Sequence, residues 1–376
     1  LTGRAFITGT VKDGKLTATT DFSRAAECDA LIICVPTPLG ESREPDTSFI
    51  ESTAETLSQY LQTGQLVSLE STTYPGTTEG LLRRVLEEGS GLEAGEDFFL
   101  VYSPEREDPG NEAYHTRNIP KVLGAYSPAC LEAGRALYGA VVAKVVEVGS
   151  CAAAEMTKLF ENVYRAVNIA LVNELKTICD RMDLDVWEVI AAADTKPFGF
   201  QAFWPGPGLG GHCIPIDPFY LTWAARRHDI STRFIELAGE INTSMPYFVV
   251  EKVKDALNSR EKPLAGSDVL VLGVAYKPGV DDMRESPALT IIDLLTRGGA
   301  HVAYHDPHVK KLEPTRKYSF DLQSVPLDAG TLSEADCVVV VTNHPGVDYE
   351  LVAREADIVV DTRNCVPRDW ENVVLA

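Results

Sequence analysis

Short apolar runs alternate with helical spacing in the first and again in the last third of this 376-residue chain, and that alternation restricts its fold more than any other feature. Asp29 to Pro36 reads Asp-Ala-Leu-Ile-Ile-Cys-Val-Pro, a strand closed by proline and suited to a parallel sheet buried on both faces. Helical spacing follows from Phe49 to Leu61, then a strand from Gln65 to Ser71, a turn from Thr72 to Thr77, and a third apolar segment, Phe98 to Tyr102, ending in Ser103-Pro104-Glu105-Arg106. Strand and helix in alternation predict a doubly wound α/β domain with ligands at the carboxyl ends of its strands. Thr37, Ser71, Thr72 and Glu105 fall on that rim, although turn chemistry alone also accounts for the threonines and the serine.

Such a domain ordinarily opens with a strand, a glycine fingerprint, a helix and a second strand. Residues 1–20 offer only a polar, hairpin-like stretch around Val11 to Thr19. Roughly 30 or more residues of a first βαβ unit are therefore expected upstream, or the domain binds nothing. The chain begins with Leu1 rather than Met, so targeting stays open. The last third restarts the alternation, with strands at Ser267 to Val274, Ala300 to Tyr304, Asp336 to Thr342 and Asp357 to Asp361 and a helix from Ser286 to Gly298. After its first strand, Ala275 to Pro287 forms a loop bearing Lys277 and Arg284 that ends where a helix starts, an arrangement suited to phosphate.

Between the two lies a different pattern. From Cys151 to Arg181 one long helix is predicted, with Met156, Leu159, Phe160, Val163, Val167, Ala170, Leu171, Leu175, Ile178 and Met182 as an apolar stripe. The stripe suits a dimer surface and internal core equally. Lys158 and Asn162, four apart, share one face, by default a solvated one. Further helical material, Asp185 to Ala193 and Tyr220 to Leu257, surrounds Phe203 to Pro218. There Gly206, Gly208 and Gly211 satisfy G-x-G-x-x-G, but Phe203-Trp204-Pro205 is no buried strand terminus, and Pro215 and Pro218 follow too soon for a helix to open. What remains is a glycine loop delivering Cys213, with Asp217 four residues on. The fold class expected is α/β: two Rossmann-like doubly wound domains, the first lacking its N-terminal βαβ unit, joined by a long central helix and a helical middle domain. The divisions fall at 1–147, 148–260 and 261–376.

A formal net charge of -21 argues against nucleic acid or anionic membrane as a partner, and no apolar run approaches a membrane span. Eight cysteines, with no C-x-x-C and no histidine at zinc spacing, point to reduced thiols in a cytoplasmic protein and to no metal. Tetrahedral ligation by His212, Cys213 and Asp217 does not suit the prolines and spacing.

Val35-Pro36-Thr37-Pro38, Glu70-Ser71-Thr72, Ser103-Pro104-Glu105, Lys158-Leu159-Phe160-Glu161-Asn162, Gly210-Gly211-His212-Cys213 and the Tyr276-to-Pro287 loop occur in an order and spacing that are together highly specific. The chain resembles the UDP-glucose/GDP-mannose dehydrogenase family over nearly its whole length. Thr195 to Phe200 leading into the glycine loop is closest to the branch acting on UDP-N-acetylglucosamine; UDP-glucose and UDP-N-acetylmannosamine are the sibling substrates. The resemblance implies a four-electron oxidation of a sugar C6 alcohol to a carboxylate with two NAD+ in succession. It also implies why a thiol is needed, since an aldehyde has no hydride to give until a nucleophile adds to it.

By that resemblance Cys213 is the nucleophile, and Lys158 aids the thiolate and developing oxyanions. Asn162 donates a second hydrogen bond, Asp217 holds a water with Thr72 or serves as base, and Glu105 is the other acid/base in thioester hydrolysis. NAD is assigned to Thr37, Pro38, Ser71, Thr72, Glu105 and Arg284. The UDP-sugar is assigned to Tyr276, Lys277, Glu105, Arg106, Lys158, Asn162, Cys213 and the segment with Phe203, Gly206, Gly208 and Gly210. Arg233 is open between a substrate contact across a homodimer interface and a surface salt bridge. His212 suits a specificity or structural role over a Cys-His couple, and without the family chemistry Cys213 suits a small buried hydrophobe and Asp217 a turn cap. A sugar-nucleotide-binding protein without dehydrogenase activity is the alternative of a different class.

Overall fold

The computed structural model describes residues 3–40, 44–108, 111, 113–211, 214 and 216–376. They form two compact units, one built on residues up to Lys158 and the other on Leu159–Ala376, which also takes in Asp108. The first unit contains α1 (Gly3–Lys12), a 3₁₀ turn at Phe22–Glu27, β1 (Ala30–Ile33), α2 (Ser48–Ser58), β2 (Leu66–Leu69), and a π-helical turn at Thr77–Leu82 running into α3 (Arg83–Ser90). β3 (Phe99–Tyr102), β4 (Lys121–Ala125), α4 (Pro128–Gly139), β5 (Val145–Glu147) and the start of α5 (Cys151–Arg181) complete it.

Its five-stranded sheet runs β1-β2-β3-β4-β5. Ala30 pairs with Leu66 and Leu66 with Phe99, all parallel, so the three strands do deliver their carboxyl ends to one edge. β4 is antiparallel to β3, with Val101 opposite Ala125. Ile33, Ile50, Val67, Leu69, Leu100 and Tyr102 pack the core between sheet and helices. Two expectations change here. The stretch around Val11 to Thr19 is no hairpin: α1 occupies its start and non-regular chain follows. Among the described residues β1 is not buried on both faces either: its alternate residue Ile32 is 47% exposed.

The second unit takes the rest of α5, then α6 (Val186–Asp194), α7 (Asp217–Arg226), α8 (Arg233–Asn258), β6 (Asp268–Leu272), α9 (Pro287–Arg297), β7 (His301–His305), α10 (Ala329–Glu334), β8 (Cys337–Val340), α11 (Tyr349–Glu355), β9 (Val359–Asp361) and β10 (Val373–Leu375). Its sheet, ordered β10-β9-β8-β6-β7, is parallel throughout. β8 is fully apolar and so is β6 after its exposed first residue, Asp268; both bury residues on both faces, as central parallel strands must. Ser286, Asp328 and Asp348 cap α9, α10 and α11 by accepting from Ala288, Thr331 and Leu351 amides, which fixes where each helix begins.

Pro218, read as a barrier to a helix, instead sits in the first turn of α7, where its missing N–H costs nothing. Nor is Tyr220 to Leu257 continuous: the chain breaks between α7 and α8. The largest departure is in α5. Its stripe is split, Leu159, Val163 and Ala170 being buried while Phe160 and Leu171 are 64% and 60% exposed. Lys158 and Asn162 are buried rather than solvated, as are Glu155, Asn173 and Lys176. Periodicity locates a face but not which way it points, and here the inward face carries the polar groups.

Candidate active site

In the first unit, Lys158 projects from α5 so that its Nζ donates to the Glu105 carbonyl at 2.6 Å and lies 3.5 Å from the Glu105 carboxylate. Glu105, half exposed, also accepts the Glu107 amide. Arg106 donates to the Pro120 carbonyl at 2.6 Å. On the sheet edge Thr37 is buried, the Pro38 carbonyl accepts from the Asp46 amide, and the Ser71 hydroxyl donates to the Val35 carbonyl at 2.8 Å. Thr72 is half-buried, and its hydroxyl has no partner among the described residues.

Glu155, one turn before Lys158, was not singled out from the sequence. It accepts the amides of Gly76 and Thr78 at 2.5 and 2.9 Å and the Thr78 hydroxyl at 2.7 Å, fixing the turn that follows Thr72. Burial pushes its carboxyl up to about 7, against the lowering effect of those three donors. Glu70 was likewise quoted only as part of a motif. It takes hydrogen bonds from Lys121 at 2.9 Å and Tyr138 at 2.7 Å, and so ties β2 to β4 and α4.

In the second unit, Asn162 Nδ2 donates to Asp217 Oδ2 at 2.5 Å, both residues being buried. That bond ties α5 to the head of α7, directly after the glycine loop. Cys213 and its neighbour His212 lie outside the described residues. The loop before them is pinned from several sides. The Gly206 amide donates to Asn173 at 2.9 Å, and Asn173 in turn donates to Asn242 on α8 at 2.9 Å. A Cβ on Gly206 would stand 2.5 Å from Arg363 Nη1, and one on Gly211, at φ +88°, would meet the Tyr276 ring at 3.1 Å. Gly208 and Gly210 pack against Pro287 at the head of α9, and Phe203 sits edge-on to Tyr164.

The loop of Tyr276 to Pro287 approaches the same glycines, the Gly211 amide donating to the Arg284 carbonyl at 3.0 Å. Lys277 pairs with Asp108 at 2.7 Å, and Arg284 grips Asp282 through Nε and Nη2. Burial raises the Tyr276 hydroxyl above its ordinary value. Arg233, the first residue of α8, is exposed and makes no ion pair among the described residues. Asn173, Asn242 and Arg363 are contacts the sequence did not announce; Asn173 falls four turns beyond Lys158 on α5, and its position on the inward face was the available signal.

Sequence models of the UDP-glucose/GDP-mannose dehydrogenase family match three stretches: the NAD-binding domain at residues 3–142, the central domain at 152–244 and the UDP-binding domain at 270–368. The UDP-N-acetyl-D-mannosamine dehydrogenase of Campylobacter jejuni is 36% identical over 93% of this chain and 84% of its own length. The chain belongs to the UDP-glucose/GDP-mannose dehydrogenase family. Another relative, the UDP-N-acetyl-D-glucosamine 6-dehydrogenase of Pseudomonas aeruginosa, is 35% identical over 81% of this chain and 72% of its own. Among solved structures, the UDP-D-ManNAc dehydrogenase of Pyrococcus horikoshii superposes with a TM-score of 0.88 at 31% identity, covering 98% of this chain and 85% of that one.

As a member of that family the chain is an NAD-dependent UDP-sugar dehydrogenase. The first unit's sheet edge fits a dinucleotide: parallel strands end on a common edge, where the Thr72 hydroxyl has no partner among the described residues. In the UDP-binding domain the loop of Lys277 and Arg284 occupies the equivalent edge after β6. No helix among the described residues is long and apolar enough to cross a membrane.

Proposed function

We propose that this dehydrogenase oxidises C6 of UDP-N-acetylglucosamine to the carboxylate, with the chain divided in function at 1–147 for NAD, 148–260 for chemistry and dimerisation, and 261–376 for the UDP-sugar. The observation that carries the chemistry is α5, which buries Lys158 and Asn162 one turn apart while leaving Phe160 between them 64% exposed. Burying a lysine and an amide in place of a phenylalanine costs stability, and a reaction that develops negative charge on oxygen supplies the reason. Bound NAD+ accepts the hydride at each of the two oxidations.

Each step has a residue. Lys158 and Asn162 stabilise the C6 oxygen as its proton leaves and the hydride departs from carbon C6. The Cys213 thiolate adds to the aldehyde carbon to give a thiohemiacetal; hydride loss leaves a thioester, and water cleaves it to the carboxylate and the free thiol. Asp217, held by Asn162, and Thr72 position that water, and Glu105, held against Lys158, relays its proton. Thr37, Pro38, Ser71, Thr72, Glu105 and Arg284 serve NAD. Glu105, Arg106, Lys158, Asn162, Phe203, Gly206, Gly208, Gly210, Cys213, Tyr276, Lys277 and Arg233 serve the substrate. The Campylobacter and Pyrococcus relatives support a second reading, UDP-N-acetylmannosamine.

The test mixes the protein with NAD+ and each UDP-sugar in turn. Two NADH per sugar should form with the true substrate, and Cys213→Ser should abolish that stoichiometry; an unchanged rate and ratio would sink the thioester route. Exposed Phe160 and Leu171 on α5, with Phe234 at 79% on α8, support a homodimer, and light scattering should give twice the 41.0 kDa chain mass rather than one. The seven described cysteines are unpaired, the state a reducing cytoplasm maintains.

A further inference from the structure

The loop of Tyr276 to Pro287 is held from below by a relay that no step of the proposed chemistry uses. Asp306, at the carboxyl end of β7, is fully buried and accepts four backbone amides. Val274 and Ala275 donate to Oδ2 at 2.7 and 3.1 Å, and His308 and Val309 to Oδ1 at 2.8 and 2.9 Å. Its Oδ2 also faces His344 Nε2 at 3.1 Å. His344, 1% exposed, stands beyond β8, and its other nitrogen, Nδ1, accepts the Gly279 amide at 3.2 Å. The chain of contacts thus runs from the sheet, through an imidazole, to the middle of the loop that bears Lys277 and Arg284.

These bonds settle the tautomer. Asp306 is an acceptor: burial alone would raise its carboxyl, but the hydrogen bonds from His344 and the amides outweigh burial and hold it well below the ordinary carboxylate range. Nε2 therefore carries the proton, and Nδ1 must be bare to receive the Gly279 N–H. A second proton on Nδ1 would set N–H against N–H and release the loop.

The geometry points to His344 as a positioning residue that makes UDP-sugar binding by this domain proton-linked: the loop is anchored, and the nucleotide held, only while the imidazole is neutral. This rests on the reading of the domain as the UDP-sugar site. The titratable groups facing His344 are Asp306, His308, whose ring centroid lies 4.9 Å away, and Tyr349 on α11, whose hydroxyl donates to the His344 carbonyl. The loop's own charges are engaged elsewhere or exposed: Lys277 with Asp108, Asp282 with Arg284, Glu285 with Lys317, and Asp281 in solvent. Affinity is accordingly higher with the imidazole neutral than with it protonated.

The probe is UDP-N-acetylglucosamine without NAD+, titrated calorimetrically from pH 5.5 to 8; its diphosphate is esterified at both ends, unlike that of UDP, whose terminal phosphate titrates near pH 6. Binding to the wild-type chain should weaken about three- to tenfold towards pH 5.5, the range expected for one lost hydrogen bond. His344→Gln, whose amide can donate to Asp306 and accept from Gly279 without titrating, should bind near the wild-type pH 8 level across the range. His344→Leu should bind weakly throughout; if it does not fold, His344→Gln decides. A flat wild-type profile, a wild-type slope in His344→Gln, or a slope abolished by His308→Gln would each overturn the assignment. Failure of the wild-type chain to bind the sugar nucleotide at any pH would instead bring down the UDP-sugar reading and the linkage with it.

Discussion

Two buried carboxylates, Glu155 in the first unit and Asp306 in the second, each gather backbone amides from loops at the ends of parallel strands, yet they titrate in opposite directions. Asp306 has five donors, and they hold its proton off despite complete burial. Glu155 has three donors and a like charge at Glu79, and burial wins, pushing it up to about 7. Donor number decides whether a buried carboxylate works as a permanent anion or as a group poised near neutrality. Lys176 is a buried donor instead of an acceptor: its Nζ has no hydrogen-bond partner among the described residues, lies 6.0 Å from the Phe248 ring, and burial pulls it down to about 7.

The comparison is broken most severely at Asp306. Asp306→Ala would strand four amides and an imidazole in the interior, and a loss above about 4 kcal/mol in urea unfolding is expected; a loss below about 1 kcal/mol would mean the loops are held by something else. Lys176→Met should do the reverse and stabilise by about 1–4 kcal/mol. A lysine depressed to about 7 from 10.5 favours the neutral form in the fold, so the wild-type chain loses stability as pH falls from about 10.5 to 7. The gain from methionine should therefore be full at pH 7 and below and vanish near pH 10.5; an equal gain at both would discount the charge as its cause.

Glu155→Gln sharpens the other end. With the folded carboxyl raised to about 7 against 4.5, the unfolded chain releases its proton first, and wild-type stability falls between pH 4.5 and 7. Glutamine, which does not ionise, should match the wild type at pH 4.5 and exceed it by about 1–3 kcal/mol at pH 8. A variant weaker at pH 8 would show that the three donors need the anion.

What the sequence revealed follows from where each contact writes its signature. Apolar runs such as Leu270 to Leu272 announce strands because the whole side-chain set is buried. Ser286 announces a helix start because a cap needs a particular side chain, whereas the short helices capped by Asp328 and Asp348 went unread. Asp306 and Glu155 were invisible because their partners are backbone amides, which leave no residue identity behind. In α5 the exposed Phe160 and buried Lys158 reverse the usual hydrophobic order, so a stripe read by apolarity selects part of the wrong face. Asn162 and Asp217 were legible as site residues only through a motif, since 55 positions separate two side chains that meet at 2.5 Å.

α5 is also a phase gauge. Its 31 residues advance 100° each, so a one-residue insertion between Lys158 and Asn162 would swing everything downstream by more than a quarter turn, carrying Asn162, Asn173 and Lys176 off the buried face together. Substitutions along this helix can be absorbed one at a time, but its residue count between those positions cannot drift, and homologues should vary in length almost anywhere else first.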